Sequence, residues 1–188
     1  MSEIFENLAG KLLIAVPAMA DKRFEKSVIF MCGHDKNGAI GIVLNKPFLR
    51  LTFKTLLRQL AIDDSKIFSD IRLYEGGPVE VGRGFVLHSS DFYHSTTVKI
   101  TPEIYLTATV DILKAISEGG GPEKFRLCLG YSGWSAGQLE FEMQTNSWVQ
   151  ANTDLDMVFS KTADVMWDQA MMSLGITHSS LSGDIGHG

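Results

Sequence analysis

Apolar residues along this chain gather in short, β-branched runs between turn formers, and only a few stretches space them three and four apart as a helix requires. Residues 11–16 and 27–33 (SVIFMCG) are apolar almost throughout and predict buried strands. Asp35-Lys36-Asn37-Gly38 follows, and because Asn-Gly is the strongest short-range hairpin signal, residues 27–44 predict a hairpin whose second strand is 39–44. Further strands are predicted at 72–75, 84–88, 97–100, 104–107, 125–131 and 148–151.

Helical spacing appears in four places. Thr52 precedes Phe53, Leu56, Leu57 and Leu60, the stripe of a short amphipathic helix behind a hydroxyl N-cap, with its apolar face turned to a sheet. Val110, Leu113 and Ile116 mark a second helix, stopped by Gly119-Gly120-Gly121-Pro122. Ser135-Ala136-Gly137-Gln138 has the S-x-x-Q form of a capping box and predicts a helix starting there, with Leu139 and Met143 facing inward and Glu140 in the first turn. The last helix, 163–174, follows Thr162, carries Met166, Trp167, Ala170, Met171 and Leu174 on one face, and ends at Gly175. With no repeat, low-complexity block or long charge run, residues 1–175 predict one domain, and the polar, glycine-rich residues 176–188 a flexible tail.

Composition narrows the function classes. The chain has 188 residues, 45% hydrophobic and 21% charged, an ordinary globular balance. Seventeen Lys+Arg against twenty-two Asp+Glu leave a net charge of −5, which carries no footprint for wrapping a duplex or coating a membrane. The bases are also dispersed: Lys22, Arg23 and Lys26 share a stretch with Asp21 and Glu25, and Arg50, Lys54 and Arg58 surround a short helix. Direct DNA binding is therefore not expected. The first residues carry acids and no base, and the longest apolar run, 12–20, contains Pro17 and falls well short of the roughly 20 residues that span a bilayer. A cytoplasmic location without a membrane partner is the expectation. Cys32 and Cys128, the two cysteines, then read as buried, unpaired thiols of a reducing compartment.

Candidate chemistry is sparse. None of the five histidines sits in a zinc-ligand spacing, and Gly130-Tyr131-Ser132-Gly133-Trp134 misses the G-x-S-x-G register of a nucleophile elbow. No metal or cofactor is expected. Gly76-Gly77-Pro78 could turn backbone amides toward an anion, and a tight turn with positive φ accounts for the same residues. His88 closes an apolar strand, where it is either a hydrogen-bonded structural residue or one facing a cleft. The densest cluster runs from Leu129 to Glu140: Tyr131 and Trp134 offer a flat wall, Gly133 keeps bulk away, and Gln138 and Glu140 add polar groups. The predicted helix start would place amides near Gly133 and Trp134 for a carboxylate or phosphate. Alternatively, Trp134 is core and Gln138 merely caps.

The sequence resembles the YqgE/AlgH family of bacterial proteins over essentially its whole length. The matching pieces are Gly10-Lys11-Leu12-Leu13-Ile14-Ala15-Val16-Pro17 with Met19, Phe24, Ser27 and Val28; Gly38-Ala39-Ile40-Gly41-Ile42-Val43-Leu44-Asn45-Lys46-Pro47; Gly76-Gly77-Pro78-Val79; Phe85-Val86-Leu87-His88; the cluster from Gly130 to Glu140; and Trp148. This resemblance implies a single α+β domain with a curved, partly barrel-like mixed β-sheet flanked by helices. The family has no established enzymatic activity and takes part of its name from a member regarded as a regulator of exopolysaccharide synthesis, the source of a transcriptional-regulator label. No helix-turn-helix with a basic recognition helix accompanies that label here. A non-enzymatic binding or regulatory protein, with a small molecule or a protein as its partner, is the expectation. The alternative is an enzyme acting on a small metabolite with His88 or Glu140 as acid or base.

Overall fold

The computed structural model describes residues 6–176 and shows an α+β fold built on one curled sheet. The strands are β1 (Leu12–Ala15), β2 (Val28–Asp35), β3 (Gly38–Val43), β4 (Leu73–Glu75), β5 (Val79–Ser89), β6 (Val98–Lys99), β7 (Ile104–Thr107), β8 (Phe125–Ser135) and β9 (Trp148–Ala151). They pair in the order β6-β7-β5-β8-β3-β2-β1-β9, and β4 joins as a parallel partner of β8, which makes the sheet mixed. The helices are α1 (Phe53–Gln59), α2 (Val110–Ser117), α3 (Gln138–Gln144), α4 (Leu155–Phe159) and α5 (Ala163–Ser173). No helix among the described residues is long and apolar enough to cross a membrane.

The continuous apolar strand runs have a direct cause: both faces of the sheet are covered. Alternate residues of β1 part company, Leu12 and Ile14 joining one core and Leu13 and Ala15 another. The first core lies under α4 and α5, through Met157, Val158, Met166, Trp167, Ala170 and Met171. On the other face, Trp134, Leu139 and Trp148 cover one half of the sheet, and α1 and α2 cover the other with Phe53, Leu57, Ile112 and Ile116. Thr52 caps α1 as its position suggests, its side chain accepting from the Thr55 amide.

The long strand β8 makes the curl. Residues 125–131 pair with β5, and residues 132–135 then pair with β3. At the changeover Gly130 has φ 74°, and a Cβ there would lie 2.5 Å from the Gly77 carbonyl oxygen, so only glycine lets the two backbones meet. The register of β5 against β8 also slips between Val79 and Gly84, a bulge of the kind that bends a sheet.

Several boundaries differ from those expected. β5 begins at Val79 rather than 84, and β8 runs on to Ser135 because the hairpin strand β3 offers it a second partner. The capping box is consequently displaced. Ser135 belongs to the strand, α3 starts only at Gln138, and its N-cap is Gly137 at φ 76° with no side-chain cap. The 97–100 strand contracts to Val98–Lys99, and α4 was not anticipated. The predicted tail, from residue 177 onward, lies outside the described residues, as do His178 and His187. Both cysteines are free; burial pushes the Cys128 thiol up to about 12 and raises that of Cys32 as well, although Cys32 as a residue is only half-buried.

One buried cation fastens the helical layer. The Arg126 guanidinium donates to the carbonyls of Val158 (2.6 Å), Leu44 (2.9 Å) and Lys161 (2.9 Å), and its central carbon sits 4.4 Å from the Tyr74 ring centroid.

Candidate functional site

Where β8 changes partners, the segment after β4 crosses it. The Gly76 amide donates to the Leu129 carbonyl at 2.8 Å, and its own carbonyl accepts from the Val43 amide at 2.9 Å and the Ser132 hydroxyl at 3.3 Å. Gly77 takes φ 153°, and a Cβ on it would stand 2.2 Å from the Tyr131 carbonyl, so the close crossing excludes any side chain. Gly76 is thus spent as scaffold, while Gly77 and Pro78 border a cavity of about 480 Å³.

Three cations ring this cavity: Arg23 from one segment, and Lys46 and Arg50 from the loop between β3 and α1. Arg23 belongs to a single 3₁₀ turn, Lys22–Phe24, that Asp21 caps by accepting from the Arg23 amide. The guanidinium closes back on the same carboxylate at 2.7 Å, and that hydrogen bond holds Asp21 below its ordinary carboxyl value. Lys46 follows β3 and is half-buried. Its place is fixed from both sides: Asn45 accepts from the Val28 amide (2.9 Å) and donates to the Lys26 carbonyl (2.8 Å), and the Lys46 carbonyl accepts from the Glu75 amide (2.7 Å). The Lys46 ammonium donates to the Arg23 carbonyl. Burial lowers its pKa, while Glu75, Asp21 and Glu25 pull the other way through space. Arg50 reaches Glu75 at 3.9 Å. Two aromatic rings complete the walls, each with an arginine over it: Arg23 lies 5.7 Å from the Phe24 centroid and Arg50 lies 5.6 Å from that of Phe48.

The other sequence candidates fall elsewhere. Tyr131, Gly133 and Trp134 border a separate, open groove beside the β2–β3 turn. Gly133 and Trp134 are strand residues paired with Ile40 and Ala39, so the expected helix amides are not there. Trp134 is 7% exposed, stacked on Phe24 at 6.5 Å and edge-on to Trp148 at 6.1 Å. Both indole N–H groups donate to one Glu142 oxygen, at 2.9 and 2.8 Å, and the Gln138 amide donates to the other at 3.0 Å. Gln138 also accepts from the Ser135 amide, so it caps a strand end.

His88 and Glu140 have different neighbours. His88 is fully buried; its Nδ1 donates to the Ser89 carbonyl at 2.9 Å, which leaves Nε2 to accept from the Thr107 hydroxyl at 2.8 Å. Burial lowers its pKa. Glu140 pairs with His34 at 3.0 Å, and the other His34 nitrogen accepts from the Leu8 amide at 3.2 Å.

Of the residues singled out from the sequence, Gly77 and Pro78 border this cavity, and the other residues around it were not among the candidates. Arg23 and Arg50 stood among bases that looked dispersed, and Lys46 was only part of a motif. Phe24 was likewise only part of a motif, Glu75 only the end of a predicted strand, and Phe48 carried no signal.

Comparison with known proteins agrees with this architecture. A family model described as AlgH-like matches residues 12–179. A UPF0301 protein of Methylocella silvestris is similar at 47% identity over 190 residues, covering 96% of this chain and 91% of the relative. Another, from Bradyrhizobium diazoefficiens, is 46% identical and covers 96% and 88%. The solution structure of the AlgH protein from Pseudomonas aeruginosa is similar with a TM-score of 0.80 and 35% identity, covering 100% of both chains. A crystal structure from Corynebacterium diphtheriae, at 19% identity and a TM-score of 0.71 over 91% of this chain and 89% of that one, shares the fold alone.

Proposed function

The chain belongs to the AlgH-like family, and within it we propose a binding protein with no reaction of its own, whose small ligand sits in the cleft between Arg23, Lys46, Arg50 and Gly77. The observation that supports this is the gathering of three cations and two aromatic walls around one cavity, whose volume falls in the roughly 300–1,000 Å³ range of ligand sites. The acid–base alternative asks His88 or Glu140 to face a substrate. Both His88 nitrogens are occupied, and Glu140 is engaged by His34. Any regulatory role then runs through the bound ligand, or through a protein that reads it, in a cytoplasmic setting and without duplex DNA.

Differential scanning fluorimetry against a metabolite library tests this, because a specific ligand raises the melting temperature by mass action. Val81 lines the cleft and is 63% exposed, so Val81→Trp fills the cavity at little cost to the fold. The expected result is a ligand-induced shift in the wild type that Val81→Trp abolishes, with the unliganded melting temperature unchanged. A shift that survives Val81→Trp, or turnover that His88→Gln or Glu140→Gln eliminates, overturns the proposal.

A further inference from the structure

We infer that the cleft takes a monocarboxylate carried on a planar apolar body, with Lys46 as the anchor for the charge. This rests on the binding role above and names the ligand class. The charges around the cavity are unequally matched. Arg23 is closed on Asp21 through two nitrogens, Nη2 at 2.7 Å and Nε at 3.1 Å. Arg50 has Glu75 at 3.9 Å. Lys46 has as its hydrogen-bond partner the neutral carbonyl of Arg23, and no carboxylate among the described residues forms an ion pair with it. Lys46 is thus the one of the three without an ion pair among the described residues, with Glu75, Asp21 and Glu25 acting on it only through space, and it is the least exposed.

A charge-assisted hydrogen bond from a ligand carboxylate supplies what the half-buried ammonium lacks. A neutral ligand would cover it without compensation. A dianion would bring a second negative charge against Glu75, on the same wall. The count of charges therefore favours a single negative one.

The walls select the rest of the ligand. Phe24 and Phe48 carry planar guanidinium groups over their rings, and a flat ligand body stacks on such guanidinium planes. On the other side Gly77 presents bare backbone, and Pro78 and Val81 add apolar surface. A compact carboxylate such as acetate would reach Lys46 and leave these walls wet.

The test uses the full-length chain, labelled with nitrogen-15, and three probes with one phenyl body: phenylacetate, phenylacetamide and phenyl phosphate. Phenylacetate is expected to shift the Gly77 and Val81 amide signals saturably, with phenylacetamide and phenyl phosphate each binding at least about tenfold more weakly. Lys46→Met keeps the length of the side chain and removes its charge; it should lower phenylacetate affinity to that of phenylacetamide. Lys46→Arg should restore it, which separates charge from folding. Equal affinities for phenylacetate and phenylacetamide at the same amides overturn the ligand class and leave the cleft as the seat. Tighter binding of phenyl phosphate overturns the single charge, and unchanged phenylacetate affinity in Lys46→Met overturns the anchor. Saturable shifts confined to other residues, or none at low-millimolar probe, overturn the seat as well.

Discussion

Arg126 and Lys46 are both cations drawn out of water against the same sheet, and they differ in how they are answered. Arg126 is 4% exposed, gives three hydrogen bonds to carbonyls of two segments, Leu44 after β3 and Val158 and Lys161 at the end of α4, and lies on the Tyr74 ring. Each of its three nitrogens donates one hydrogen bond, and the result is a rivet between the sheet and α4. Lys46 is only half-buried, reaches one neutral carbonyl and borders empty space. Glu142 is the anionic counterpart of Arg126: two indoles and an amide answer its two oxygens. Polar groups whose partners are complete hold the molecule together, whereas an incompletely answered one marks where something else can bind.

The sharpest check on this division is Trp134, a sequence candidate for binding that the structure puts with the rivets. Trp134→Ala should cost about 3–5 kcal/mol in urea denaturation, as large-to-small core changes do. A loss under about 1 kcal/mol, the ordinary range for surface positions, would return Trp134 to the binding surface. Next in size is Arg126→Met, which leaves three carbonyls without a donor and should cost about 2–4 kcal/mol. Lys46→Met measured beside it should cost less than about 1 kcal/mol, since one exchangeable hydrogen bond is lost. Equal losses for the two would erase the contrast between them.

A smaller effect belongs to His88, whose buried ring is answered on both sides while neutral. Its folded-state pKa lies below the ordinary 6.5, so as pH falls through 6.5 the unfolded chain takes up the proton first. The stability tied to the neutral ring is complete above 6.5 and lost as pH falls toward the lowered folded value. Chemical denaturation of the wild type and His88→Gln across this window should show the wild type falling more steeply. Parallel curves would mean that the ring tolerates its proton in place.

Much of the scaffold was legible because its signals are local. The Asn37-Gly38 turn, the Thr52 cap and the spacing of Met166, Trp167, Ala170 and Met171 each lie within a few residues, and the corresponding elements form. Ser135-Ala136-Gly137-Gln138 misled for the opposite reason. Its capping form is local, but Ser135 is claimed by Gly38 across the sheet, and pairing overrides the cap. The cleft was invisible in the same way. Residues 23, 46 with 50, and 75 reach it from three stretches of chain, and no spacing along the sequence encodes the meeting of all their side chains.

The corner strand also governs the order in which this molecule can be assembled. β3 has β2 on one side, β5 has β7 and β4 has residues 46–48, but the other edge of each waits for β8. A chain growing from its N-terminus at about 5–20 residues per second therefore emerges with these edges open until residues 125–135 are delivered. Such edges are templates for pairing with other chains. Their closure is long-range in sequence, which makes it a slow event in folding. The strand that bends the sheet thus closes most of the edges that expose a newly made chain to aggregation, and β9 then covers the outer edge of β1.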